Sequence, residues 1–525
     1  MKKRLLDITL VNIILGMAII LGTAGLSSCS KSFLNLTPPT ALSSASYFTN
    51  LNEFQQALNG AYTPLTSVVN VGIYQDEMRS DNTFFTIYMA DRGFVSRENY
   101  AEFMDDATTS ASQNSPGDRY TSDYSGISMI NTILGQINGV ASISTGGKDS
   151  IIGQALFLRA FYYYDLVTHF GGVPLQLTEI TGTSGAFLPR SSVDSVYKQI
   201  ITDLTTAIPL LTVATTFPQS GIATQGAAKM LLAYAYMTEP TKDYADAETQ
   251  LTDITKMNYT LLPTYASVFD PNNKNNQESI FEVQYLSDLV SGLQSDFAWV
   301  FMPKATNPQA IMGYNGGSMN LQSGWNVPTQ EMVSSYEPGD LRLDPSVAVV
   351  EGTISGVETF TISDLKSSVG YTPTPGVTYF YMINKYFHPP YAVAFNTPDD
   401  FPVFRYAGCL LLLAECLVDE GNAGAALPYL NQVRARAGLA PQATATAANI
   451  ATEMRHELAF ENHRWTDLIR EGQAIPVCTA KGVTLKGIYG WLLPQTFDVT
   501  QDKLIYPIPT REIQINVNLT QNPGY

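Results

Sequence analysis

The sequence predicts a mainly α-helical protein, in which tetratricopeptide-like helical hairpins carry a large irregular, loop-rich region and a few short strands. Three observations predict it. From Arg405 to Arg470 apolar residues recur at helical spacing in three successive stretches, Arg405–Leu417, Ala423–Ala437 and Asn449–Arg470, with stops at Gly421-Asn422 and Gly438. Between positions 119 and 257 helical stretches alternate with short turns, the pattern of stacked hairpins, although no clean 34-residue period emerges. Between Tyr259 and Phe404 the helical period fails for about 145 residues, too long for a plain connection, so this stretch is expected to form a substructure of its own.

Taken in order, the chain begins with an address. Lys2-Lys3-Arg4 is a positive n-region and Ile8–Leu21 an apolar h-region, and Leu26-Ser27-Ser28-Cys29 resembles a bacterial lipoprotein cleavage site. Residues 1–28 are read as the signal peptide and Cys29 as the lipidated N-terminus, anchored by buried acyl chains. Residues 29–525 are read as one domain. Its helical scaffold is expected mainly at 50–65, 119–257 and 405–471, and its irregular region mainly at 69–115 and 259–404.

Leu51, Phe54, Leu58, Ala61 and Leu65 share one helical face, and Asn50 with Glu53 three residues on has the form of a capping box. The spacing then predicts helices over Tyr120–Val140, Asp149–Phe170, Ser192–Leu211, Thr224–Met237 and Tyr244–Met257, the second ended by Gly171-Gly172-Val173-Pro174. Short strands are expected at Ile280–Gln284 and Thr353–Ile362. The prolines of Tyr506-Pro507-Ile508-Pro509 favour an extended C-terminal chain.

Composition narrows the function. The formal net charge is −17, and because the first 28 residues carry a net +2 from Lys2, Lys3, Arg4 and Asp7, the remainder stands at −19. So acidic a body has no electrostatic footprint for nucleic acid. Cys409 and Cys416, seven apart on one apolar stretch, read as small core residues. No cofactor or metal site is expected: His456-Glu457-Leu458-Ala459-Phe460 has Phe where a zinc-protease helix needs its second His. Neither a nucleophile elbow nor a P-loop is present. Asp105-Asp106 and Asp399-Asp400 are adjacent carboxylates, but sequence neighbours rarely face each other across a substrate as a glycosidase requires.

The positive signal is aromatic. Tyr, Phe and Trp make up 11% of the chain, and many stand in the irregular stretches among Asp, Asn and Arg. Such rings can cover the C–H face of a sugar while amides and carboxylates bind its hydroxyl rim. Asp81, Asn82, Trp299, Tyr314 and Trp325 are the contact candidates, with Gly324-Trp325 also a candidate for a purely structural role.

A series of short motifs completes the reading. After Cys29 come Phe33-Leu34 and Pro38, Glu53-Phe54, Ser80-Asp81-Asn82, Ala155-Leu156-Phe157-Leu158-Arg159-Ala160-Phe161-Tyr162-Tyr163 and Phe170-Gly171-Gly172-Val173-Pro174. Then follow Gly324-Trp325, Asp340-Leu341-Arg342, Arg405-Tyr406-Ala407, Arg434-Ala435-Arg436-Ala437-Gly438, Glu457-Leu458-Ala459-Phe460-Glu461 and Arg464-Trp465. In this order they resemble the SusD/RagB family of outer-membrane nutrient-binding lipoproteins of the Bacteroidetes, over nearly the whole mature chain. The resemblance implies a non-catalytic, lipid-anchored protein of the outer membrane facing the cell exterior. It would capture oligosaccharides, or alternatively oligopeptides, and deliver them to a SusC-like TonB-dependent transporter; a glycoside hydrolase is the remaining alternative. One departure is Ser30-Lys31-Ser32, where acidic residues often signal surface export in these bacteria.

Overall fold

The computed structural model describes residues 47–85, 95–108, 115–183, 185–288, 292–313, 323–355 and 359–525. The expected signal peptide, Cys29 and Tyr314 lie outside them.

The scaffold begins with α1 (Leu51–Tyr62) and α2 (Pro64–Gly72), passes through α3 (Val95–Glu102), and continues as α4 (Pro116–Ile137), α5 (Thr145–Phe170), α6 (Val193–Ala207), α7 (Gln225–Thr238) and α8 (Tyr244–Thr255). From α4 onward each of these helices packs on the next, and α1 and α2 lie against α4. Local chemistry sets the starts. Asn50 with Glu53 and Ser115 with Asp118 form reciprocal capping boxes, and Ser144, Ser192, Thr224 and Asp243 each accept a first-turn N–H. At the end of α5 Gly171 takes φ 70°, where a glycine costs least.

The chain then leaves the helical stack and returns as α13 (Tyr406–Asp419), which packs against α8 and so extends the stack. Between them lie β2 (Ser279–Val283), the short helices α9 (Phe297–Phe301) and α10 (Gln309–Met312), β3 (Val327–Pro328), α11 (Gln330–Ser335) and α12 (Leu343–Ser346). Strands β4 (Val347–Ser355), β5 (Thr359–Ser367), β6 (Thr378–Ile383) and β7 (Phe401–Arg405) follow. An antiparallel sheet has the order β5-β4-β6; β2 pairs with β7, and β3 with β1 (Thr83–Phe84). The sheet separates two cores. Val347, Val349 and Ile383 face the main helical core, while Ala348, Val350 and Met382 face a smaller one with Trp299, Met302, Met312 and Tyr391. Alternate residues of a strand point to opposite faces, so one strand serves both cores. The C-terminal part comprises α14 (Ala423–Arg436), α15 (Ala447–Glu457), α16 (Arg464–Arg470), α17 (Ala474–Ile488) and α18 (Thr510–Ile515).

Four expectations are corrected. The helix expected over Leu51–Leu65 ends at Tyr62, and Pro64 starts a second one. The stretch after Val69, expected to be loop, stays helical to Gly72 and runs on as a π-turn over Ile73–Glu77, with α3 beyond. Thr353–Ile362, expected as one strand, is divided between the end of β4 at Ser355 and the start of β5 at Thr359, which pair antiparallel. The helix expected over Asn449–Arg470 breaks between Glu457 and Arg464, where Phe460 and Asn462 take φ 67° and 62°.

Most of the charged motif residues meet in one buried ion network. Arg405, 1% exposed, reaches Glu278 at 2.8 Å, Glu457 at 3.0 Å and Glu461 at 2.7 Å. Arg436 also binds Glu278 and Glu457; Arg342 binds Asp340, Glu453 and Glu457; Lys385 binds Glu461; and Arg434 binds Glu453. These pairs fasten the irregular region to α13, α14 and α15. Charges this deep persist only when each finds an opposite partner. Arg159 of α5 likewise grips Asp203 of α6 with two bonds, at 2.7 and 2.8 Å.

Candidate functional site

The sequence candidates are placed by two crossings of the irregular region over the scaffold. Ser80-Asp81-Asn82 follows the π-turn, and Ser80 Oγ donates to the Glu77 carbonyl. The Asp81 carboxylate accepts Arg464 Nε at 2.8 Å and lies 3.1 Å from Arg455 Nη2. Burial alone would raise the Asp81 carboxyl, but Arg464 and Arg455 outweigh it and hold the group below the ordinary carboxylate range. Asn82 donates Nδ2 to Glu77 at 2.8 Å and accepts Arg455 Nε at 2.9 Å, while its carbonyl accepts the Thr329 N–H. Both side chains are buried, so as placed they fasten α15 and α16 to the segment around β3 and offer no open edge.

Trp325 lies beneath the surface, edge-on to Tyr74 at 6.0 Å and tilted against Phe85 at 5.8 Å, with the Arg97 guanidinium 5.4 Å from its ring. Its backbone N–H donates to the Val300 carbonyl at 3.2 Å, which sets it one residue across from Trp299. Trp299 is also buried, covered by Tyr391 at 4.8 Å and Phe395 at 5.6 Å between ring centroids.

The outermost ring of this group is Phe395, which sequence reasoning did not single out. It is 36% exposed and takes φ 55°, a left-handed conformation that is rare for a bulky residue and stores strain. The flanking residues are held on both sides. Asn396 donates to the Asp288 carbonyl at 2.9 Å and accepts Ser287 Oγ at 2.8 Å, and Thr397 and Ser295 exchange backbone bonds at 2.9 and 3.0 Å. Their tertiary bonds hold the ring outward on Trp299. Nothing local marks Phe395 in the sequence, because its bonding partners lie about a hundred residues away. A second group of rings borders Trp325: Phe85 lies 6.0 Å from the half-buried Trp491, and Phe84 is stacked on Trp491 at 6.3 Å and 11°.

Polar chemistry near these rings is sparse and mostly spoken for. Asp105 pairs with Arg79 at 2.8 Å, Asp399 with His388 at 2.6 Å and Asp400 with Lys274 at 2.7 Å, so the adjacent carboxylates each serve a different partner. A cavity of about 100 Å³ lies elsewhere, among α2, α5, α7 and β7, and carries Asp76, Arg119, Asp165 and His169 on its wall. Those groups answer one another: Arg119 binds Asp165 at 2.7 Å and Asp76 at 2.9 Å, and His169 binds Asp76 at 2.8 Å. Among the described residues no group of three or more His, Cys, Asp or Glu has metal-holding geometry. Cys409, Cys416 and Cys478 are free and buried, and burial pushes the Cys478 thiol up to about 12. No described helix is long and apolar enough to cross a membrane.

Comparison with known proteins gives the fold its relatives. A family model described as SusD family matches residues 277–525, and a second, described as starch-binding associating with outer membrane, matches residues 32–237. A SusD-like protein of Formosa agariphila is 25% identical over 95% of this chain and 97% of its own length. The starch-binding protein SusD of Bacteroides thetaiotaomicron is 32% identical over a shorter stretch, 24% of this chain and 22% of its own. Among solved structures, a laminarin-binding SusD-like protein superposes with a TM-score of 0.71 at 23% identity, covering 91% of this chain and 100% of that one. Surface glycan-binding protein A from Bacteroides thetaiotaomicron gives 0.72 at 21% identity over the same shares.

Proposed function

The chain belongs to the SusD/RagB family, and from that premise we propose that it is a non-catalytic, lipid-anchored protein of the outer membrane that captures oligosaccharides at the cell surface. Captured ligand passes to a SusC-like TonB-dependent transporter, over which the protein closes as a lid. Closure is favoured by ligand to the extent that the closed state binds it better. Cys29 carries the anchor.

The observation that carries this reading is Phe395, an aromatic ring held outward at a strained φ, backed by Trp299 and Tyr391. A ring so held offers an apolar face without paying the entropy of ordering it on binding. Trp299 supports the surface from below, while Trp325, Asp81 and Asn82 belong to the frame of the main helical core. Relatives named for starch, laminarin and surface glycans support the ligand class. Asp105, Asp399 and Asp400 are each engaged with a different partner, Arg79, His388 and Lys274, which favours binding without cleavage.

Calorimetry of the protein from residue 30 onward, against neutral, uronate-bearing and sulfated oligosaccharides and a peptide digest, tests the reading. Saturable binding of a glycan without release of shorter products supports it. Binding of peptides and no glycan overturns it.

A further inference from the structure

Resting on that reading, we propose that His388, oriented by Asp399, is the hydroxyl-binding residue of the Phe395 surface and biases it toward neutral sugars over uronates. His388 Nδ1 lies 2.6 Å from Asp399 Oδ1. A carboxylate accepts, so Nδ1 carries the hydrogen, and in the neutral imidazole Nε2 presents a lone pair. The imidazole is 32% exposed, and among the described residues Nε2 has no hydrogen-bond partner. His388 stands on the same loop as the aromatic surface. Its backbone N–H donates to Tyr391 Oη at 2.6 Å, and the Tyr391 ring in turn covers Trp299 beside Phe395. Tyr391 N–H donates to the Met312 carbonyl at 3.0 Å, which pins the loop to α10.

One loop thus presents an apolar ring and an oriented acceptor. A pyranose needs that combination, a C–H face against Phe395 and a hydroxyl donating to Nε2. The charge around the dyad supplies the selectivity. Asp399 is buried, and its second oxygen, Oδ2, has no partner among the described residues, so His388 alone answers that carboxylate. The neighbouring Asp400 is matched by Lys274 at 2.7 Å and leaves no spare cation. Burial and Asp399 push the Tyr391 phenol up, so it stays neutral. A sugar carboxylate would meet an uncompensated negative charge on a chain whose net charge is −17; a neutral sugar would not.

The test measures the affinities of the protein from residue 30 onward for matched neutral and uronate-bearing oligosaccharides, with thermal unfolding alongside. His388→Ala is expected to lower neutral-sugar affinity about fivefold to tenfold, the loss of one hydrogen bond, with little change in Tm. His388→Gln, which keeps an acceptor, is expected to recover part of the loss. Asp399→Asn removes the charge and is expected to shift the uronate-to-neutral affinity ratio toward uronate, which a merely structural role would not do. If Phe395→Ala weakens binding while His388→Ala does not, or if Asp399→Asn leaves the ratio unchanged, this inference falls and the glycan reading stands. If no glycan binds to the unaltered protein, both fall.

Discussion

Glu77 accepts the backbone N–H of Asn462 at 3.1 Å, joining the end of the π-turn to a break in the C-terminal helices 385 residues away. Its other oxygen accepts the N–H of Phe460 at 3.2 Å. Phe460 and Asn462 both take positive φ, so their amides turn away from any helical ladder and toward this carboxylate. Glu77→Ala would leave two backbone N–H groups and the Asn82 side-chain amide without their partner. The expected cost is about 2–4 kcal/mol, since each unmet group costs on the order of 1–3 kcal/mol. Urea unfolding checks it, and Glu77→Gln, which retains one acceptor, is expected to fall between.

Arg405 binds three carboxylates at once. Its removal takes one buried cation from Glu278, Glu457 and Glu461 and leaves Arg436, Arg342 and Lys385 to hold them. Arg405→Ala is expected to destabilise by about 3–5 kcal/mol, the range for breaking a buried ion pair from one side. An unchanged denaturation midpoint would show that the network contributes no net stability.

Asp76 contributes to the pH dependence of the scaffold. Burial acts to raise its carboxyl, but Arg119 and His169 prevail and hold it down at about 2, below the ordinary 3.8. A folded pKa below the unfolded one means the stabilisation is complete above the unfolded value and disappears as pH falls through the folded one. Stability on the order of 2 kcal/mol from this group should therefore be lost between about pH 4.5 and pH 2. Tm measured across that window should fall, and Asp76→Asn should be less stable at neutral pH with a flatter acid limb.

Phe395→Ala removes the outward ring but leaves the loop bonds of Asn396 and Thr397 in place. Glycan affinity is expected to drop about tenfold, equivalent to about 1.4 kcal/mol, with a smaller effect on Tm. Equal affinity in calorimetry would remove Phe395 from the binding surface.

Cys29→Ala removes the proposed acylation point. The protein is expected to leave the outer-membrane fraction, because the acyl chains on Cys29 are its proposed anchor. Continued membrane association in cell fractionation would assign the attachment to another segment.

Sequence by itself determined what depends on near neighbours. The reciprocal cap of Asn50 and Glu53, the stop at Gly171 and the amphipathic hairpins from α4 to α8 were legible because their partners lie within a few residues. The motif order also carried the family, although it did not say that Arg342, Arg405, Arg434, Arg436, Glu457 and Glu461 meet in one buried network. Tertiary structure alone decided the break before Arg464, because Glu77 supplies bonds that outcompete a continuous helix. It also turned Asp81 and Asn82 inward, where arginines from α15 and α16 take up their oxygens, and turned Phe395 outward through bonds to Asp288 and Ser287. A residue's type says which partners it can take. Whether it faces a distant arginine or the solvent depends on what the rest of the chain has brought to its side, and that is settled only when the long-range contacts close.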